Sequence, residues 1–300
     1  MSILKKTWSV VDIKSGSHIM KIRFWGTRGS IAVPGKETIM YGGNTTCLEM
    51  TLESGKKIII DAGTGIRALG NKLLAEKEPI DVHLLITHIH WDHILGFPFF
   101  DPLYETSTKI SIEGFPTCMK GLRSTFDNRM GDGFFPLKFD DLKAEIQYQD
   151  KLSKGALEID GLIVDSIFLQ HPQGGYGYRF REGGKTLVFL TDNELREDAW
   201  IGRTPKEYAE FCKDADILIH DAQYIPKEID DRRGWGHSDY TSAFDLAHEA
   251  NVKRLILFHH DPSRSDLEVA AIKVSCEDLV VRSNSSMIVE AAQENSELEL

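Results

Sequence analysis

The sequence has few cysteines and lacks a long apolar run. Its four cysteines, Cys47, Cys118, Cys212 and Cys276, lie far apart and include no CxxC pair. This usage is typical of reduced, buried thiols in a reducing compartment, not of a disulfide framework. No apolar stretch approaches the roughly 20 residues that a membrane-spanning helix needs. We therefore predict a cytoplasmic protein that does not enter a membrane.

The sequence also lacks an excess of positive charge. It has 35 Lys and Arg against 46 Asp and Glu, which gives a formal net charge of −11 with His neutral. No general basic field is present to attract polyanions such as tRNA or duplex DNA, so nucleic acid is disfavoured as a partner. A small phosphate ester held at a metal site remains compatible with this charge.

The 300 residues are divided here into one domain with two short flanks. Residues 1–19 lack a continuous apolar segment of the signal-peptide type and are interpreted as an N-terminal extension. Residues 20–290 form the predicted main domain, and residues 291–300 form an acidic tail expected to fray. Within the domain, the Gly-, Pro- and Phe-containing region 114–142 is interpreted as a large loop.

Short apolar runs alternate with helical patterns along the chain. The runs VHLLITH, TLVFLTDNE, DILIHDAQ and RLILFHHDP are typical of buried strands. Helical spacing is present in GIRALGNKLLAEK, PKEYAEFCKDA, YTSAFDLAHEA and DLEVAAIKVSCEDL. This alternation predicts a layered α/β fold.

Polar, ligand-type residues follow the predicted strands. The densest group is HIHWDH, residues 88–93, directly after VHLLIT. His88 and His90 are two positions apart, so both imidazoles point the same way on an extended loop. Asp92 and His93 begin the next turn. This spacing favours two neighbouring metal half-sites, whereas an unrelated group of polar loop residues is the weaker alternative.

HIHWDH resembles the HxHxDH signature of the metallo-β-lactamase fold superfamily. Other segments resemble its phosphodiesterase-like branch, which contains ribonuclease Z and the phosphoribosyl cyclic phosphodiesterases. These segments occur in the family's order over about residues 20–262: FWGTRGS, YGGNTTCLEM, IIIDAGTGIRALG, HPQGGYGYRF, FLTDNE, LIHDAQY, GWGHSDY and LILFHHDP. The resemblance implies a single-domain, four-layer αββα sandwich.

The resemblance also implies two divalent metal ions and their ligands. The ligand residues it implies are His88, His90 and His171 for one ion, Asp92, His93 and His259 for the other, and Asp192 as the bridge. Zinc is the expected metal, and manganese and iron are alternatives. Asp61 matches a carboxylate that orients a metal-bound histidine from behind. Of the adjacent His259 and His260, the strand-then-His pattern favours His259.

A proton donor is implied further along the chain. His237 in GWGHSDY matches the histidine of the GHS motif of ribonuclease Z, and Asp221 in HDAQ replaces the usual Glu of the HEAT motif. Asp92, His237 and Asp221 are therefore the candidate catalytic residues. The shorter carboxylate of Asp221 leaves its hydrogen bond to His237 in question. Arg28 and Asn44 lie in Gly-rich turns, and a turn role is favoured over substrate contact for both.

The leading interpretation is a binuclear metal-dependent phosphodiesterase in which a metal-bound hydroxide attacks a small cyclic or linear phosphodiester. A cyclic nucleotide or a phosphoribosyl cyclic phosphate is the expected type of substrate. Turnover of thioesters or lactams is a weaker option. A homodimer is left open.

Two alternatives belong to other classes of function. One is tRNA 3′-end processing, for which a basic arm is expected. In region 114–142, however, acidic residues cancel the basic ones, namely Lys120, Arg123, Arg129 and Lys138 against Asp127, Asp132, Asp140 and Asp141. The other is a non-catalytic metal-binding sensor domain, which the full set of candidate ligands and a candidate acid disfavours.

Overall fold

A computed structural model describes residues 20–114, 124, 130, 131, 133, 135–198 and 201–300. The predicted extension, residues 1–19, lies outside this part of the chain, as does most of the loop predicted over 114–142. Within the described residues, every helix is too short or too polar to cross a membrane.

The first sheet is built mainly from the N-terminal half of the chain. Its strands are β1 (Lys21–Gly26), β2 (Cys47–Thr51), β3 (Lys57–Ile60), β4 (Asp81–Ile86), β5 (Lys109–Gly114), β6 (Glu145–Tyr148) and β14 (Glu297–Glu299). They are ordered β14-β1-β2-β3-β4-β5-β6. The pairs from β3 to β6 are parallel.

The second sheet is built from the C-terminal half. Its strands are β7 (Leu157–Ile159), β8 (Leu162–Phe168), β9 (Tyr176–Glu182), β10 (Lys185–Leu190), β11 (Ile217–Asp221), β12 (Arg254–Phe258) and β13 (Ile288–Ala291). They are ordered β13-β12-β11-β10-β9-β8-β7, and β10 to β13 are parallel.

Helices cover the outer faces of both sheets. The helices of the described residues are α1 (Ile66–Ala75), α2 (Trp91–Ile94), α3 (Pro205–Cys212), α4 (Tyr240–Glu249) and α5 (Asp266–Arg282). Because side chains alternate along a strand, Ile58 and Ile60 of β3 enter the core between the sheets, whereas Ile59 packs with Leu69 of α1. The second sheet packs against α3, α4 and α5 through a third core. The predicted four-layer αββα sandwich is confirmed.

The C-terminal residues do not fray as expected from their acidity. Strand β14 pairs antiparallel with β1, and Lys21 faces Glu299 in this pair. Lys21 Nζ lies 3.4 Å from Glu297 Oε1 and 3.0 Å from Glu299 Oε1. Leu298 and Leu300 pack against the core between the sheets. The expectation of fraying is wrong because these apolar side chains and the backbone of the tail both find partners.

The carboxyl ends of the parallel strands lie at one edge of the sandwich, where ligands bind in open α/β sheets. Three of the residues singled out in the sequence follow β3, β10 and β12 there with left-handed backbones: Asp61 (φ 59°), Asp192 (φ 55°) and His259 (φ 55°). Non-glycine residues in this conformation are uncommon and cluster at functional sites. The sharp turns point these side chains towards one another across the two sheets.

Candidate metal centre

Three histidines from two loops form the first cluster. His88 and His90 follow β4, and His171 follows β8; their ligand-type nitrogens all lie within 4.8 Å of one another. His90 Nδ1 lies 2.9 Å from His171 Nε2. The ring of His88 lies 4.6 Å from that of His90 and 4.7 Å from that of His171, centroid to centroid. The arrangement offers three imidazole nitrogens to one cation.

Two carboxylates and two histidines form the second cluster, which is buried. Asp92 and His93 come from α2, Asp192 follows β10, and His259 follows β12. His93 Nε2 lies 3.3 Å from both Asp92 Oδ2 and Asp192 Oδ1. His259 Nε2 lies 3.2 Å from the same two oxygens.

Asp192 belongs to the second cluster and also faces the first. Its Oδ1 faces the second cluster, and its Oδ2 lies 3.7 Å from the Nε2 atoms of both His88 and His171 in the first. A carboxylate with one oxygen directed to each group of nitrogens is suited to bridge two cations.

Each of the five histidines uses its other ring nitrogen for a contact with an oxygen outside the clusters. The pairs are His88 Nδ1 with Thr87 Oγ1 (3.1 Å), His90 Nε2 with Gln173 Oε1 (2.8 Å), His93 Nδ1 with Asp61 Oδ2 (2.8 Å), His171 Nδ1 with Gly236 O (3.0 Å) and His259 Nδ1 with Gln223 Oε1 (2.9 Å). If these outer nitrogens carry the protons, each inner nitrogen presents a lone pair to its cluster, as metal-binding histidines do. The inner Nε2 atoms of His88 and His93 are buried without a hydrogen-bond partner, as suits nitrogens that bind a cation.

The pKa values of the cluster residues also suit metal binding. Burial lowers the pKa of His88 well below its usual value and that of His171 to about 4. Burial alone would raise the pKa of Asp192, but His259, His93 and His88 outweigh it and hold that pKa well below the ordinary range. Neutral imidazoles and ionised carboxylates are the forms that bind metals.

His93 is the exception among these groups. Burial opposes its charged form, but Asp92, Asp192 and Asp61 outweigh burial and raise the pKa of His93 well above its usual value. A cation bound in the second cluster would displace a proton from this ring.

Asp61 supports the second cluster from behind, as the sequence predicted. Its carboxylate is fully buried and accepts hydrogen bonds from Thr87 N, Thr87 Oγ1 and His93 Nδ1, each at 2.8 Å. These contacts fix both the carboxylate and the orientation of the His93 ring.

Asp61→Asn is expected to lower metal affinity by about 10- to 100-fold. The amide cannot accept from both Thr87 and His93 as the carboxylate does, so the His93 ring loses its orientation. Competition with a chelator measures the affinity. Asp160→Asn is the matched control, because Asp160 also has a left-handed backbone (φ 48°) but is exposed in a turn. An Asp61→Asn affinity within twofold of the unmodified chain would contradict this role.

His237 lies beside both clusters. Its ring centroid is 5.1 Å from that of His171 and 5.0 Å from that of His259. Its Nδ1 lies 3.4 Å from Asp221 Oδ2 and 3.9 Å from Asp192 Oδ2. Burial opposes the charged form of His237, but the carboxylates of Asp221, Asp192 and Asp92 outweigh it and raise its pKa.

Asp221 is held rigidly at the end of β11. Its Oδ1 accepts from Asn193 N at 3.1 Å, and its Oδ2 accepts from Ser238 N at 3.0 Å. The shorter carboxylate therefore still reaches the loop that carries His237. It approaches the His237 ring at ion-pair distance, without the geometry of a well-formed hydrogen bond.

Comparison with known proteins shows the family to which the chain belongs. The family model of the beta-lactamase superfamily domain matches residues 56–260. The chain belongs to this superfamily. The resemblance indicated by HIHWDH is thus confirmed, and with it the expectation of a hydrolase enzyme with this fold. The cluster of His and Asp residues in such a fold points to divalent metal ions as cofactors.

Individual relatives of this superfamily member are distant. Ribonuclease Z of Archaeoglobus fulgidus is 24% identical over 287 residues, which cover 80% of this chain and 87% of the relative. The metallo-beta-lactamase fold protein YhfI of Bacillus subtilis has a TM-score of 0.70 at 17% identity, covering 94% of this chain and 100% of that one. A diphosphatase from the PhnP family has a TM-score of 0.63 at 17% identity, covering 94% and 98%.

In this superfamily member, Gly236 sits directly against a candidate ligand. It has φ 85°, and a Cβ built on it would lie 2.0 Å from His171 Nδ1. Its carbonyl also accepts from that nitrogen. The glycine of GWGHSDY therefore allows the His237 loop to approach the first cluster.

Gly236→Ala is expected to weaken metal binding by at least about tenfold, because the new methyl group displaces the His171 ring and removes its outer contact. Metal titration calorimetry measures the change. Gly234→Ala is the matched control, since Gly234 has nearly the same backbone (φ 82°) but open space around a built Cβ. Equal losses in the two variants would assign the effect to backbone strain and not to His171.

The remaining histidines lie apart from the clusters. His260 Nε2 contacts Ala292 O at 2.9 Å, so the geometry favours His259 over His260 as the ligand. His220 Nδ1 contacts Asp221 O at 2.8 Å. His83 and His248 also lie away from the clusters, and His18 lies outside the described residues.

The two Gly-rich turns have structural roles. Arg28 is fully buried and donates to the carbonyls of Gly42, Asp261 and Arg264. The side chain of Asn44 contacts Glu294 and Thr64. A turn role therefore explains both residues without a substrate.

Several residues that support the candidate site were not predicted from the sequence. Gln173 and Gln223 orient His90 and His259, and Glu194 accepts from the N–H groups of Gly234 and Gly236 in the His237 loop. The glutamines occur two positions after His171 in HPQGG and after Asp221 in HDAQ. The signal available in the sequence was a glutamine two positions after a predicted site residue.

Proposed function

We propose that this enzyme is a binuclear metal-dependent phosphodiesterase that hydrolyses a small cyclic or linear phosphodiester. A single observation carries the proposal: His237, paired with Asp221, contacts one histidine of each cluster. A proton donor placed beside both candidate cations suits a reaction in which a charged phosphoryl group is held and an alkoxide leaves.

The candidate ligands divide between two ions. His88, His90 and His171 would hold one ion, Asp92, His93 and His259 the other, and Asp192 both. Zinc suits this set of imidazole and carboxylate donors best, and manganese or iron are alternatives. When bound, such a pair neutralises charge on phosphoryl oxygens and activates water.

The protein's own groups supply orientation and the proton. Asp92, placed among both the ligands and the catalytic residues, keeps one orientation because its Oδ2 accepts from Ser30 N at 2.7 Å. His237 donates a proton to the leaving oxygen, and Asp221 stabilises the protonated ring. The raised pKa of His237 favours the acid form that this step requires.

Charge near His237 supports a small substrate. A cavity of about 250 Å³ opens beside this ring. The charged residues among its described lining are four acids, Glu194, Glu197, Asp198 and Asp239, and two bases, Arg196 and Arg233. This excess of carboxylates and the net charge of −11 disfavour a polyanionic leaving strand.

The second candidate function is tRNA 3′-end processing. It is favoured by relatives that carry the name ribonuclease Z, including that of Thermococcus kodakarensis, which is 29% identical over 276 residues. These names weigh towards RNA and against a small diester, so the two candidates need a direct test.

That test is metal analysis of the purified protein with a turnover screen. The screen contains 2′,3′- and 3′,5′-cyclic nucleotides, phosphoribosyl cyclic phosphate, bis-p-nitrophenyl phosphate and pre-tRNA, together with a thioester and a lactam. We expect two metals per chain and turnover of a small diester. Cleavage of pre-tRNA alone would favour the second candidate. Exclusive cleavage of thioesters or lactams would overturn both.

A further inference from the structure

Two exposed tryptophans flank the candidate metal centre. Trp91 is 66% exposed and lies between His90 and Asp92, and Trp235 is 59% exposed and lies two residues before His237. Large aromatic side chains that remain exposed at a site are a common sign of binding. Neither ring belongs to the apolar cores described above.

The two tryptophans lie on loops that meet at the centre. The loop of Trp91 contacts that of His171 through His90 Nδ1 and His171 Nε2, which are 2.9 Å apart. His171 Nδ1 in turn lies 3.0 Å from the carbonyl of Gly236, next to Trp235. This chain of contacts places the residues next to both tryptophans in the chain, His90 and Gly236, at the first cluster.

Two further exposed apolar side chains follow Trp91 along the chain. Leu95, 45% exposed, lies one helical turn further, since its N–H donates to the Trp91 carbonyl at 2.7 Å. Residues four apart share a helix face. Phe99, 50% exposed, follows after another four residues and meets Phe135 edge to face at 5.4 Å. A flat apolar group beside the scissile phosphate would find a complementary surface here.

The ring of Trp235 packs near the side chain of an arginine. The guanidinium of Arg232 lies 5.4 Å from the Trp235 ring centroid and 5.2 Å from that of Tyr224. A ring that is already ordered loses little rotamer entropy when a ligand stacks on it. Arg232 also adds positive charge close to the aromatic ring.

We propose that Trp91, assisted by Trp235, binds the nucleobase of the substrate by stacking, so that the enzyme prefers nucleotide phosphodiesters over diesters without a base. This inference rests on the proposed phosphodiesterase function and narrows its substrate class. Aromatic rings stack on any base, which suits recognition of the nucleotide class without selection of one base.

The test compares ligands with and without a base. In zinc-loaded protein, calorimetry measures the affinities of adenosine 5′-monophosphate and ribose 5-phosphate, and kinetics measure KM for a 2′,3′-cyclic nucleotide and a phosphoribosyl cyclic phosphate. Trp91→Ala is expected to reduce the preference for the ligand with a base by about 5- to 150-fold. Trp91→Phe should restore most of it, and Trp235→Ala should have a smaller effect in the same direction.

Leu267→Ala is the control, because Leu267 is 82% exposed on α5, away from the centre. It should leave the preference unchanged. Equal affinity of the unmodified protein for both ligands, or an unchanged preference in Trp91→Ala, would overturn the inference. Absence of turnover of every diester would contradict the proposed function instead, and calorimetry would still decide whether the base is recognised.

Discussion

Replacing Asp192 by alanine is expected to abolish binuclear metal binding and to lower phosphodiester turnover by about a thousandfold or more. Its two carboxylate oxygens face both clusters, with Oδ1 near His93 and His259 and Oδ2 near His88 and His171. Among the described residues, Asp192 is the carboxylate whose ion-pair contacts reach histidines of both clusters. Loss of Asp192 therefore affects both cations at once.

Metal content per chain, measured by elemental analysis after gel filtration, checks this prediction. Thermal unfolding gives a second measurement, because a ligand that binds only the folded state raises Tm. Added zinc should raise the Tm of the unmodified chain far more than that of Asp192→Ala. Asp165→Asn is the control, since Asp165 pairs with Arg179 and Arg181 on the second sheet. Two tightly held metals in Asp192→Ala would exclude a bridging role.

Replacing His237 by alanine is expected to lower turnover by about 10²- to 10⁴-fold while both metals remain bound. The effect should depend on the leaving group. A nitrophenolate leaves without a proton, so bis-p-nitrophenyl phosphate should lose much less turnover than a diester with an alkoxide leaving group. Asp221→Asn should give a smaller loss with the same dependence, because it acts through His237.

Steady-state kinetics on both diesters and metal analysis distinguish an acid from a ligand. His237 is close enough to His171 and Asp192 to join a metal site, so loss of a metal in His237→Ala would reassign it as a ligand. If both metals stay bound and the turnover of the two diesters falls equally, His237 would have a positioning role and would not be the acid. His248→Ala is the control, because that exposed ring stacks on Phe244 of α4 at 5.6 Å.

Site residues that lie close together in the sequence were predictable from it, whereas contacts between distant residues were not. HIHWDH was readable because four candidate ligands lie within six positions after one strand. His171, Asp192 and His259 were assigned by resemblance to a family, since no local pattern connects them to that loop. The structure brings them together at the carboxyl ends of strands from both sheets.

The partners of the candidate ligands were not predictable in the same way. Gln173 contacts a histidine 83 residues away, Gln223 one 36 residues away, and Gly236 one 65 residues away. The tail was misjudged for a similar reason, because strand β14 pairs with β1 at the opposite end of the chain. Composition describes a segment, but it does not reveal which distant backbone will pair with it.

The sequence alone determined the layered α/β fold, the family and the identity of the chemical groups. The fold class and the groups depend on periodicity, strand ends and residue type, all of which are local, whereas the family was implied by matching segments over about residues 20–262. The resemblance implied that Asp192 bridges two ions, but only the tertiary structure decided how its two oxygens face the clusters, that His237 contacts each of them, and which groups outside the clusters orient the ring nitrogens. Those features depend on how two seven-stranded sheets pack and on the loops between them, so they arise only when distant segments meet.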